Sequence, residues 1–275
     1  MADGQWSSHA KRWVTGLALA VPLVLLLAYG PLWLWTVVVT AAALVGLWEY
    51  ETMIQRPALT RWELVFSLAV GAVFPLAAWI HGVAGLGVSA VAAVFATWAK
   101  QLAHPPLNRD ALQRALISLS GWLYVAMPTS FVLLLGALPH GREWVFFVLF
   151  VIVFGDVGAY YTGKTMGRRK LYEAVSPKKT VEGALGGLMA SAVMGTAFGI
   201  TFLRDTGASV PALLMVSILT ELVAQAGDLM ESLLKRMAGC KDSSALLPGH
   251  GGLLDRLDSL LFAFPTVWMY AQGLN

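Results

Sequence analysis

Apolar runs about as long as a bilayer is thick recur along this chain, at 13–29, 31–48, 62–80, 83–99, 118–138, 144–161, 183–203, 210–226 and 257–274. A spanning helix needs roughly 20 mostly apolar residues, and fewer where flanking side chains reach the interface. Charged residues are 13% of the 275 and hydrophobic ones 57%, whereas a soluble domain carries about a quarter charged. Water would not keep such a chain in solution; a bilayer would. The expected fold is therefore all-α, a polytopic integral membrane protein with about nine transmembrane helices. The narrowest breaks, Gly30-Pro31 and His81-Gly82, suit tight helical turns. Lys11 and Arg12 before the first run resemble a signal peptide, but the run is of spanning length and no persuasive cleavage site follows. It is read as a retained helix.

Charge position tests the count. Nine spans place the N-terminus and segments 49–61, 100–117, 162–182 and 227–256 on one face. Every Lys and Arg except Arg142 and Arg204 falls there. By the positive-inside rule the N-terminus is then cytosolic and the C-terminus outside. A net charge of +3 gives little reason to expect nucleic acid as a partner. The single cysteine, Cys240, excludes an intrachain disulfide and a cysteine metal cluster, and is expected to be inert. Residues 1–117 read as membrane scaffold, or as the subunit contact of a homodimer. Residues 118–275 read as the catalytic region, with cytosolic loops 162–182 and 227–256.

Acids in apolar surroundings come next, because a carboxylate at mid-membrane costs about 2.5–3.5 kcal/mol on insertion scales and usually faces a polar interior. Asp156 and Glu221 are such acids, both in the cytosolic third of their runs. Asp156 points to function; for Glu221 function and a neutral hydrogen-bonded role are equally open. Asp156 and Tyr160 share a helical face. Arg168, Arg169 and Lys170 suit an ordinary loop touching anionic headgroups. Ser176-Pro177-Lys178-Lys179-Thr180 is different, a cationic, hydroxyl-rich turn placed directly before a helix. Free N–H groups and the positive dipole end there make a phosphate cradle.

The last loop is richest. Asp228, Glu231, Ser232 and Lys235 form one helical stripe, and Asp255 and Asp258 recur at i, i+3 where the final run begins. Between them lie Lys241-Asp242 and Pro248-Gly249-His250-Gly251-Gly252. Carboxylate pairs around a glycine-rich turn suit Mg²⁺, which takes one or two carboxylates plus phosphate oxygens. His250 is open to three roles: general base, phosphate donor or structural hydrogen-bonder.

These residues resemble the signature of the CDP-diacylglycerol synthase family. Ser232, Lys235-Arg236, Lys241-Asp242, Pro248, His250-Gly251-Gly252, Asp255-Arg256 and Asp258 match it in spacing. Upstream, Asp156, Gly158, Ala159 and Tyr160, and the block from Ser176 through Glu182 and Gly183, are similar too. Ser244 stands where glycine is more usual. The resemblance covers roughly 150–260. It implies a membrane enzyme joining CTP and phosphatidic acid into CDP-diacylglycerol and pyrophosphate, with metal on Asp228 and Asp255. Glu231 and Asp258 are further candidate ligands, and K⁺ a candidate second cation. Catalytic roles are expected for Asp228, Lys241, Asp242, His250, Asp255 and Arg256. Substrate contacts are expected from Asp156, Tyr160, Lys164, Ser176, Lys178, Lys179, Thr180, Glu182, Ser232, Lys235, Arg236, Gly251 and Gly252. The rival readings are a CTP-dependent polyprenol or phytol kinase, a CDP-archaeol synthase, and a transporter using Asp156 and Glu221.

Overall fold

The computed structural model describes residues 8–55, 59–103, 108–247, 249 and 251–274. Arg56, Pro248 and His250 lie outside these residues, as do the side chains of Lys11 and Arg12. The chain runs through α1 (Ser8–Tyr29), α2 (Leu32–Gln55), α3 (Arg61–Ala103) and α4 (Arg109–Gly121), which passes through a π turn into α5 (Met127–Gly136). Then follow α6 (Gly141–Met166), the strands β1 (Lys170–Tyr172) and β2 (Ser176–Thr180), α7 (Val181–Phe202), α8 (Val210–Met237) and α9 (Leu254–Gln272).

Among the described residues six helical stretches are long and apolar enough to cross a membrane: Leu32–Gln55, Arg61–Ala103, Arg109–Gly136, Gly141–Met166, Val181–Phe202 and Val210–Met237. Large apolar side chains such as Val88, Phe95, Met189 and Val193 stand on their outer faces. Lipid is the medium in which such faces carry no penalty, so the chain is an integral membrane protein. At 1.5 Å per residue α3 is about 65 Å long, roughly twice a hydrocarbon core. It breaks at Gly82, whose φ of 62° only glycine adopts freely. The narrow His81-Gly82 break in the sequence is thus a real interruption of the helix.

The all-α expectation needs one correction. Segment 162–182 contains a two-stranded antiparallel hairpin, with Lys170 opposite Thr180 and Tyr172 opposite Ser176. Ser176–Thr180 is extended strand rather than turn because its backbone pairs with β1. Pro177, which has no N–H, is tolerated in so small a sheet because every strand there is an edge. Thr180 still starts a helix: its Oγ1 accepts from the Gly183 N–H at 3.1 Å, capping α7.

Small residues set the close packing of the C-terminal half. Gly183, Gly187, Ser191, Gly195 and Gly199 recur every four positions on α7, and all are buried. A Cβ at Gly195 would strike Ser217 of α8 and Val151 of α6. Backbones approach across such a stripe, as in other membrane helix interfaces. At Gly227 a Cβ would meet the Asp258 carbonyl oxygen at 2.5 Å. That glycine lets α8 lie directly against α9 and brings their acids together.

The N-terminal half is joined differently. Glu51 accepts from Ser67 and Gln55, and Trp122 Nε1 donates to the Ser67 carbonyl and hydroxyl, both at 2.9 Å. Glu63 holds Lys100 at 3.3 Å and Arg114 at 3.4 Å. Each polar group is satisfied by a neighbour in the same half.

Candidate active site where α6, α8 and α9 converge

Two adjoining cavities open among α6, the hairpin, α7, α8 and α9, and they share Asp156, Asp228 and Ser259. The first, about 370 Å³, is lined by Tyr160 and Lys164 of α6, Lys178, Lys179 and Thr180 of the hairpin, and Gln225 of α8, among others. The second, about 430 Å³, is lined by five aspartates, Asp156, Asp228, Asp242, Asp255 and Asp258, against two cations, Lys235 and Arg256. Apolar Leu149, Ile152 and Val153 of α6 complete its wall. An aspartate-rich space thus abuts one that carries three lysines, beside helices that face lipid.

Helix register explains the arrangement. α8 outlasts its apolar run by about three turns, so Asp228, Ser232 and Lys235 project from one face as the spacing requires. Asp228 pairs with Lys179, which β2 delivers, and Ser232 Oγ stands 3.4 Å from Asp228 Oδ1. Lys235 lies between Glu231 and Asp255, 2.6 Å from the latter. Asp255 Oδ2 also accepts from the Ser243 N–H at 3.0 Å and the Gly252 N–H at 2.7 Å, with Ser243 Oγ at 3.0 Å.

The adjacent glycines of the last loop have separate reasons. Gly251 has φ of 79°, and a Cβ there would meet Asp255 Oδ2 at 2.7 Å. At Gly252 a Cβ would overlap Ser243 Oγ and both carboxylate oxygens of Glu49. Neither position has room for a side chain. Their work is to let carboxylates approach the backbone.

The structure divides the sequence-derived candidates. Asp156, Tyr160, Lys164, Lys178, Lys179, Thr180, Asp228, Lys235, Asp242, Asp255, Arg256 and Asp258 all line one cavity or the other. Ser176, Glu182, Glu231, Arg236 and Lys241 line neither. Glu182 accepts from the backbone N–H groups of Arg168 and Arg169 at 3.0 and 3.1 Å, holding the entry to the hairpin. Arg236 donates to the carbonyls of Val175 at 3.2 Å and Cys240 at 3.1 Å, tying hairpin to loop. Glu231 is fully buried and paired with Lys235. Lys241 is exposed to solvent. Partial burial pushes the Cys240 thiol up from its ordinary value, which disfavours the reactive thiolate.

Glu221, left open by the sequence between function and a neutral hydrogen-bonded role, is buried in the wall of the first cavity, where Ser191 Oγ donates to it at 3.1 Å and Gln225 Nε2 at 2.8 Å. Two other contributors escaped the sequence reading. Gln225 also donates to the Ala184 carbonyl at 3.1 Å and so ties α8 to α7. Glu49 of α2 reaches the last loop from the N-terminal half. The signal for Glu49 was Trp48-Glu49-Tyr50-Glu51 at the end of an apolar run, acids among aromatics where a plain loop was expected.

As a metal site the second cavity has suitable chemistry, carboxylate oxygens from α6, α8, the last loop and the start of α9. Among the described residues no three His, Cys, Asp or Glu side chains form a ready-made metal-binding group. Asp228 and Asp255 are each paired with a lysine, and a small hard dication held there would take phosphate and water for the rest of its shell.

The model of a family described as the cytidylyltransferase family matches residues 10–274. A phosphatidate cytidylyltransferase of Staphylococcus haemolyticus (strain JCSC1435) is 37% identical over 160 residues, 58% of this chain and 60% of that protein. One of Bacillus subtilis (strain 168) is 42% identical over 133 residues, 47% of each chain. One of Staphylococcus aureus (strain COL) is 38% identical over 160 residues, 58% of this chain and 60% of that protein. The matched region thus spans about half to three-fifths of these relatives.

Proposed function

The chain belongs to the cytidylyltransferase family, and we propose that it is a phosphatidate cytidylyltransferase, forming CDP-diacylglycerol and pyrophosphate from CTP and phosphatidic acid. One observation carries the reading: a cavity lined by Lys164, Lys178 and Lys179 and an aspartate-lined cavity meet at Asp156, Asp228 and Ser259, beside helices that face lipid. A soluble triphosphate and a membrane-held phosphate can meet only at such a boundary.

The lipid phosphomonoester is already an anionic nucleophile, so no side-chain nucleophile is needed. One of its oxygens attacks the α-phosphorus of CTP in line. A new P–O bond forms, the bond to the bridging α,β-oxygen breaks, and pyrophosphate leaves with that electron pair. Catalysis of this kind is positioning and charge neutralisation. Mg²⁺ held by Asp228 and Asp255 would supply neutralisation of the triphosphate oxygens. On binding, Lys179 and Lys235 exchange their carboxylate partners for phosphate oxygens, and Lys178 and Arg256 add charge at the rim. Asp156 and Tyr160 border the headgroup path, while the acyl chains stay in lipid. A second cation such as K⁺ is compatible with the number of aspartates.

The topology in this proposal has nine spans, with α3 counted as two about Gly82 and with α1 and α9 included. The N-terminus and the site face the cytosol of a bacterial inner membrane. The support is the asymmetry of Lys and Arg. The test is product analysis with purified protein, CTP, Mg²⁺ and phosphatidic acid in vesicles. CDP-lipid with pyrophosphate is the expected pair. Phosphorylated lipid with CDP would make the protein a CTP-dependent kinase, and ion flux without CTP would make it a transporter.

A further inference from the structure

We infer that Glu49, on α2 and outside every motif of the C-terminal half, is a positioning residue for the proposed reaction, seating the start of α9 and with it Asp255, Arg256 and Asp258. The role rests on the proposed function; the contact behind it does not.

α9 begins without a cap of its own, since Leu253 at its N-cap offers no side-chain acceptor. The first N–H groups of a helix need partners. Glu49 supplies them from another helix. Its Oε1 accepts from the Leu253 N–H at 2.9 Å and the Ser244 hydroxyl at 2.6 Å. Its Oε2 accepts from the Leu254 N–H at 2.6 Å, with the Ser243 hydroxyl at 3.2 Å. Four donors meet one carboxylate, and the side chain is wholly buried. The positive end of the α9 dipole offsets part of its charge.

Two observations make this more than an anchor. Ser243 is shared: its hydroxyl lies 3.2 Å from Glu49 and 3.0 Å from Asp255, while its N–H donates to Asp255. Asp255 therefore takes its place from the same residues that Glu49 grips. Gly252 is the other. A side chain at that position would displace Glu49, whereas its N–H donates to Asp255. The motif thus reserves space for a residue some two hundred positions away in sequence. A neutral serine or asparagine would suffice to cap a helix; a carboxylate with two doubly used oxygens also fixes rotation and depth.

Glu49→Gln tests the inference. The amide keeps the volume but accepts at one end only, so part of the donor set is released. Two measurements are made on the full chain in detergent: hydrogen exchange at the amides of Leu253 and Leu254, and steady-state kinetics with CTP and phosphatidic acid. Faster exchange at both amides is expected. With it, kcat should fall roughly 10- to 100-fold, the usual effect of losing an outer partner that orients a ligand. KM for either substrate should stay within about a factor of three. Wild-type kcat, unchanged exchange, or a rise in KM with kcat intact would each overturn the inference. If Glu49→Gln does not fold, Gly252→Ala approaches the contact from the other side and must give the same split; normal kcat there overturns it equally. A wild-type chain that makes no CDP-lipid would sink the proposed function, while the exchange result still decides the contact.

Discussion

In α1–α5 two acids are satisfied close to home: buried Glu51 by Ser67 and Gln55, half-buried Glu63 by Lys100 and Arg114. Between α6 and α9, by contrast, five aspartates gather around one cavity with two cations among them. A closed network lowers free energy by satisfying each group, whereas gathered carboxylates repel and are stable only because lysines and backbone N–H groups hold them. The first region is therefore built for stability. The second keeps an electrostatic cost that a cationic ligand would relieve. Glu49 and Glu51, two residues apart on α2, point to opposite sides of the helix and so belong to different regions.

Substitutions should separate the regions by what they change. The largest loss is expected from Asp228→Asn and Asp255→Asn, each lowering kcat on the order of 10²–10³-fold. The purified variants should still insert into membranes. Near-normal turnover in either would break the contrast at its strongest point. A smaller effect is expected at the exposed rim. Lys178→Ala should raise KM for a phosphate substrate roughly two- to fivefold, the scale of an exposed charge contact. The effect should shrink as salt rises, and kinetics at two ionic strengths measure it.

Ser67→Ala belongs to the other region and should leave kcat per folded molecule unchanged. It removes a donor to Glu51 and an acceptor from Trp122, so stability should drop by about 1–3 kcal/mol. Thermal unfolding in detergent reads that directly, and a lost kcat with normal Tm would blur the division. At the small end, Arg204→Ala removes only an exposed pair with Asp205 and should alter neither Tm nor kcat measurably.

The sequence made the membrane-spanning, helical character legible because bilayer thickness sets the length of apolar runs. Helical spacing made Asp228 and Lys235 legible on one face of α8, and Asp255 with Asp258 on one face at the start of α9. Tertiary placement was harder. Ser176–Thr180 read as a turn, since nothing local announces that Lys170–Tyr172 will pair with it. Arg236 and Glu182 read as substrate contacts, yet their bonds go to backbone groups that only the fold brings near. Glu49 read as part of a loop because its partners lie beyond residue 240. The four-residue stripe of small residues on α7 is visible once the helix is known, but in sequence it resembles other small residues in apolar runs.

Where a nucleotide lands tests the account most directly. CTP bearing a photoreactive group on its γ-phosphate can be irradiated with the protein in lipid nanodiscs and the adducts mapped by mass spectrometry. Label suppressed by excess CTP should fall within 164–182 or 228–258. Label confined to 32–136 would contradict a phosphate site at the meeting of α6, α8 and α9.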